Sequence, residues 1–191
     1  LKKPDHVRAL HQLVKATGIK DSSLEKLLVG KDNPETLPNI MFDITAKDVT
    51  DITNIIPMLK KVGYQSKNVH LTWILTNYVT AMDNNKQRER MVPEDILLKT
   101  HEGAANTVWG LITKAMPRGL NGRVDVILNN PNHTVFYKDA EGNNVEGIAK
   151  GFLSLPVKRE GKGILPEITW KMKLFMWVKD NAPESITKYM K

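Results

Sequence analysis

Cysteine is absent from the 191 residues. That removes disulfide bonds and thiolate metal ligation, and it fits a reducing compartment. Long apolar runs are missing too: no stretch approaches the roughly 18 residues a membrane-spanning helix needs. The opening LKKPDHVRALHQLVK is basic but lacks the apolar centre of a signal peptide. These absences predict a cytoplasmic protein with no membrane segment. No basic tail and no helix-turn-helix, RNP or OB signature is present, so nucleic acid is not the expected partner. His70 and His101 stand apart with no second ligand at metal spacing, so no transition-metal site is expected.

What is present is an ordinary globular composition, 41% hydrophobic and 26% charged, with a net charge of +7. The positive balance favours anionic partners without choosing among them. The length suits one domain with a small appendage, here a core over 1–131 and an extension over 132–191.

Helical spacing of Val7, Leu10, Leu13 and Val14 predicts a first helix that stops at Gly18. DSSLEKLLVGK carries a capping box of Ser22 and Glu25. NIMFDIT, residues 39–45, reads as a strand. AKDVTDITNIIPMLKKVGY reads as a helix with Val49, Ile52, Ile55, Ile56 and Leu59 on one face, interrupted at Pro57 and closed by Gly63. NVHLTWILT is the next strand and NYVTAMDNNKQRER a short helix. PEDILLKTHEGAANTVWGLITKAM is the longest helix, opening on proline, and GRVDVILNN is a third strand. Strands separated by helix-length segments predict βαβ units and a mainly parallel α/β sheet. Beyond residue 131 a hairpin is expected to turn at Glu141-Gly142-Asn143-Asn144, then an extended piece whose Pro156 favours an edge, then a helix carrying Trp170, Phe175 and Trp177 as packing residues.

In a parallel α/β sheet, ligands bind outside the carboxyl ends of the strands. Those ends hold Asp43 and Thr45, then Thr76 and Asn77, then Asn129 and Asn130, with Lys86, Arg88 and Arg90 just behind the second. A carboxylate, hydroxyls and amides beside movable cations suit phosphoryl transfer. Each group also has a structural use. Asp43 could cap the helix after it, the three cations could be a solvated face pairing with Asp83 or Glu89, and Asn129-Asn130-Pro131-Asn132 could be turn chemistry.

The run NIMFDITAKDVTDI, then VGYQSKNVHLTWILTN and NNKQRERMVPEDILLKTH, resembles the middle and later parts of zeta-toxin-like P-loop kinases. The likeness covers about residues 39–130 and is most specific at RERMVPEDI joined to the preceding strand; the overall pattern also resembles kinase-like proteins of large phages. The resemblance implies a three-layer, mainly parallel P-loop fold with a small β-plus-helix extension. It implies a kinase using ATP and Mg²⁺ to phosphorylate a hydroxyl of a nucleoside, nucleotide or sugar-nucleotide. Arg88 and Arg90 would reach the phosphates from a lid, with Lys86 assisting, and Asn129 and Asn130 would lie near the nucleotide. Asp43 would face the site as base, Mg²⁺ organiser or structural group, with Thr45, Thr76 and Asn77 on the substrate side.

One part of that pattern is missing. The phosphate loop G-x-x-x-x-G-K-[ST] has no counterpart, because Gly30-Lys31 is followed by Asp32 and Gly161-Lys162 by Gly163. The family's first strand and loop are therefore expected ahead of Leu1, or from another chain that completes the sheet. The alternatives are a binding or assembly module without ATP chemistry, as in a phage particle, and more remotely a nucleic-acid-binding domain.

Overall fold

The computed structural model describes residues 4–19, 23, 26, 37–131 and 133–166. The expected capping box at Ser22 and Glu25 and the aromatic C-terminal helix lie outside them. Helix α1 (Pro4–Ala16) buries only Val7 of its four-residue apolar face, and Arg8 reaches Asp95 at 3.6 Å. Gly18 follows at φ +60, a left-handed conformation that ends the helix as expected.

The predicted helix over 46–63 forms as two pieces, α2 (Thr50–Thr53) and α3 (Ile55–Val62). The break at Asn54 precedes Pro57, whose missing N–H and bulky ring cannot accommodate a helical carbonyl at Thr53. Gly63 closes α3 at φ 109. Strand β1 (Leu71–Leu75) leads through α4 (Tyr78–Gln87) and α5 (Glu94–Thr113) to β2 (Val124–Leu128). Pro93 is the cap of α5 rather than its first helical residue.

Strand β3 (Thr134–Lys138) then turns into the long β4 (Asn144–Lys158). The turn sits slightly earlier than expected: Gly142 adopts φ +85, and the Asp139 carboxylate accepts from the Asn143 amide at 2.7 Å.

The strand order is β1-β2-β4-β3. β1 and β2 are parallel, in register from Leu71↔Val124 to Leu75↔Leu128. β4 runs antiparallel to β2 with its second half and antiparallel to β3 with its first. The sheet is thus mixed and curled, with one parallel pair, and the expectation of a three-layer, mainly parallel P-loop sheet is overturned. The reason is topological. A parallel neighbour needs a crossover of a dozen or more residues; α4 and α5 provide one between β1 and β2, but only hairpin-length turns separate the strands after β2. Pro156 is not on a bare edge: it opposes Asp125 beside a register shift at Val124/Asp125, where a missing N–H is tolerated.

The expected strand at 39–45 is not one either. Residues 37–47 run without regular structure, although exposure alternates from Met41 to Ala46 as in a half-buried strand. No described strand pairs with them. β1 likewise has no described strand on its second edge.

The main core lies between one face of the sheet and α5. Trp73, Leu75, Val124, Val126, Leu128, Leu155 and Val157 meet Ala105, Val108, Trp109 and Ile112. Period-two burial on β1 and β2 and helical spacing on α5 produce this face. A second cluster of Ala46, Ile52 and Leu111 takes in Ile44 and Leu71, so the 37–47 segment and β1 share a packing partner. Gly103 allows the close approach: a Cβ there would sit 2.5 Å from the Lys47 carbonyl oxygen. No described helix is long and apolar enough to cross a membrane.

Candidate functional site

The four polar residues expected at the ends of β1 and β2 do come together. The Asn77 amide donates to Asn130 Oδ1 at 2.8 Å, and Asn77 Oδ1 accepts from Val79 and Thr80 at 2.8 and 3.4 Å, capping α4. Asn129 donates its backbone N–H to the Leu75 carbonyl at 2.8 Å and its side-chain Nδ2 to Thr76 Oγ1 at 3.2 Å. Asn130 is buried, and its carbonyl accepts from His133 and Thr134. These contacts tie the two parallel strand ends to the start of α4, the cap alone contributing about 1 kcal/mol. The turn chemistry foreseen at Asn129 and Asn130 is therefore realised.

Asp43 and Thr45 are exposed on the 37–47 segment, and neither makes a hydrogen bond or ion pair with a described residue. Asp43 is not the cap of the following helix. The cap position is Val49, without a side-chain cap; just before it, Asp48 Oδ1 accepts from the Thr50 amide at 2.9 Å and the Thr50 hydroxyl at 2.7 Å. The backbone bond, then the hydroxyl bond, holds the Asp48 carboxyl below the usual carboxylate range. Beside it, Lys47 and Lys114 flank a shallow groove of about 390 Å³ over Asn106 and Gly110 of α5.

The basic trio divides. Lys86 reaches Asp83 at 3.7 Å, an exposed pair one helical turn apart. Arg88 and Arg90 are exposed and form no ion pair with a described residue. They follow α4 directly: Arg88 leaves the helix in an extended conformation, φ −76 and ψ 146. A spacing of two residues puts their Cα atoms at most about 7 Å apart, within the span of one polyphosphate.

Sequence reasoning missed Asn85. It is buried near the end of α4, and its side chain pairs with the backbone of Val92 in both directions, Nδ2 to the carbonyl and Oδ1 from the amide, each at 2.8 Å. The arginine loop is closed at its base by this pair. A signal existed: asparagine is a weak helix former, and one on a buried helix face usually answers a backbone group.

On α5, His101 lies edge-on to the Tyr78 ring at 5.7 Å. Burial holds its imidazole below the ordinary histidine range, so the folded state favours the neutral ring. At pH just below 6.5 the unfolded chain binds a proton that the folded chain does not. The contribution is complete above that pH and lost as pH falls through the folded value. His101→Gln should flatten the acid side of the stability–pH profile, measured by urea unfolding at successive pH values.

Among the described residues no three histidine or carboxylate side chains gather where they could hold a metal ion. Guanidinium forks of the kind Arg88 and Arg90 carry suit phosphate oxygens. Comparison with family models, curated proteins and solved structures finds no match to this chain.

Proposed function

We propose that this chain binds nucleotide phosphates through Arg88 and Arg90 and takes part in ATP-dependent phosphoryl transfer to a small-molecule hydroxyl. The observation that carries it is the arginine loop: two exposed guanidiniums without described carboxylate partners, on a loop closed at its base. Guanidinium forks suit phosphate oxygens, and their charge offsets that of a transferring phosphoryl group. The net charge of +7 and the resemblance over residues 39–130 point the same way. Asp43 and Thr45, exposed and without partners among the described residues, are the candidates to meet the acceptor. Thr76, Asn77, Asn129 and Asn130 support the strand ends behind it.

The backbone cradle that such transfer needs is not in this sequence. In this proposal it comes from another segment or another chain, which also supplies the strand for β1's second edge and the 41–46 segment. The absence of cysteine supports a reducing, cytoplasmic setting.

A second reading keeps the anion site and drops the chemistry: a binding or assembly module. It is favoured by the lack of any described contact between Asp43 and the arginine loop. Calorimetric titration of ATP into the wild-type protein and into Arg88→Ala/Arg90→Ala tests what the two readings share. An affinity loss of at least tenfold in the variant, with weaker binding at higher salt, is expected. Equal affinity would overturn the assignment. ATP turnover in the presence of candidate acceptors, lost in the same variant, separates the kinase from the module. Binding of mixed-sequence DNA with steep salt dependence would favour the nucleic-acid alternative instead.

A further inference from the structure

Two arginines on a surface loop bind one anion well only if the loop keeps them in register, because each long side chain loses freedom on ordering. Here the loop is held from both ends. On one side it continues α4. On the other it meets Val92, which precedes Pro93 and is therefore biased towards an extended conformation, and then α5, whose later turns lie in the main core. The Asn85 side chain joins the two sides with a donor and an acceptor, each at 2.8 Å. Residues 86–90, enclosed by this clamp, are all exposed, while Asn85 is buried and Met91, Val92 and Pro93 are half-buried. A carboxamide is needed because Val92 presents both an N–H and a C=O; a carboxylate could answer only the first.

We infer that Asn85 is the positioning residue of the arginine loop, its amide clamp on Val92 holding Arg88 and Arg90 in one anion-receiving arrangement. The inference rests on the phosphate reading of those arginines. It assigns Asn85 no contact with the anion; the residue acts through the backbone it closes.

The probe is inorganic triphosphate, titrated calorimetrically into the 191-residue protein as wild type, Asn85→Ala, Asn85→Asp and Asn84→Ala. Titrations are made at a temperature where circular dichroism shows each variant folded. Asn85→Ala should weaken binding about tenfold. Asn85→Asp should weaken it as well, since it sets a carboxylate against the Val92 carbonyl. Asn84→Ala, at the exposed neighbour, should bind as wild type. Limited trypsin digestion gives a second readout, because Lys86, Arg88 and Arg90 are cleavage points inside the clamp; Asn85→Ala should be cut there at least tenfold faster.

A folded Asn85→Ala that binds triphosphate as tightly as wild type, and resists trypsin equally, overturns the inference and leaves the phosphate reading standing. If Asn85→Ala does not fold, Asn85→Asp decides by the same criteria. If the wild type takes up no triphosphate, the phosphate reading falls and the inference with it.

Discussion

Lys158→Met should lower the unfolding free energy by about 3 kcal/mol, reducing the urea midpoint without changing the slope. Lys158 is the most buried charged residue described, at 5% exposure. Its ammonium donates to the Asn121 carbonyl at 3.1 Å, Asn121 Oδ1 at 2.9 Å, the Gly122 carbonyl at 3.0 Å and the Arg159 carbonyl at 3.3 Å. No described carboxylate pairs with it; among the described residues, carbonyl and carboxamide oxygens hold the charge. Burial pushes its pKa down, yet the acceptors are arranged for a compact cation. Methionine keeps the stem and removes every donor, so the buried Gly122 carbonyl and the part-buried Asn121 carboxamide oxygen lose the ammonium, and hydrogen bonds to a charged group contribute about 1.5–3 kcal/mol. Arginine should not rescue the site, since its flat fork does not fit a pocket of acceptors gathered around a point charge. A Lys158→Met protein as stable as wild type would remove this account of how the end of β4 is fastened.

Gly122→Ala should be about as damaging, lowering the melting temperature by roughly 6–12 °C for about 3 kcal/mol in a chain of this size. A methyl group at Gly122 would lie 2.4 Å from the Val69 carbonyl oxygen and 2.7 Å from its carbon, both backbone atoms that no side-chain rotation can move. The same glycine donates its N–H to that carbonyl at 2.9 Å, so the clash breaks a hydrogen bond as well. The neighbouring contacts run through one knot. Asn121 donates to the Ser66 carbonyl, Gly161 donates to the Asn121 carbonyl, and Arg123 donates to His70 Nδ1. The segments leading into β1 and β2 and out of β4 are thereby fixed at one place. Differential scanning calorimetry of Gly122→Ala beside Gly110→Ala is the check. Nothing lies within 4 Å of a Cβ at Gly110, and alanine favours a helix, so that variant should melt no lower than wild type.

Both effects come from long-range contacts, and that separates what was legible in the sequence from what was not. β1, β2 and α5 could be read because one-dimensional periodicity carries their burial: Trp73 and Leu75 alternate with exposed neighbours, and Ala105, Val108, Trp109 and Ile112 recur at helical spacing. The break before Pro57 and the β3–β4 turn were legible because proline and glycine act locally. Strand pairing was not. That β4 returns antiparallel beside β2, and that NIMFDIT keeps strand-like alternation without a described ladder, depends on partners far away in the chain.

The candidate site divides along the same line. That Thr76, Asn77, Asn129 and Asn130 lie at the ends of two strands was legible, while their hydrogen bonds to one another needed coordinates. That Asp48 rather than Asp43 bonds to the first residue of the helix, Thr50, turns on a shift of five positions that sequence could not fix. Asn85 and Lys158 carry no motif; burial alone makes them conspicuous.

The most direct measurement follows the arginine side-chain Nε–Hε resonances of the full chain by NMR while triphosphate is added. Arg88 and Arg90 should shift together along one saturable curve, with Arg8, Arg118 and Arg123 unmoved. Shifts confined to arginines other than Arg88 and Arg90, or none at all, would contradict a phosphate site on this loop.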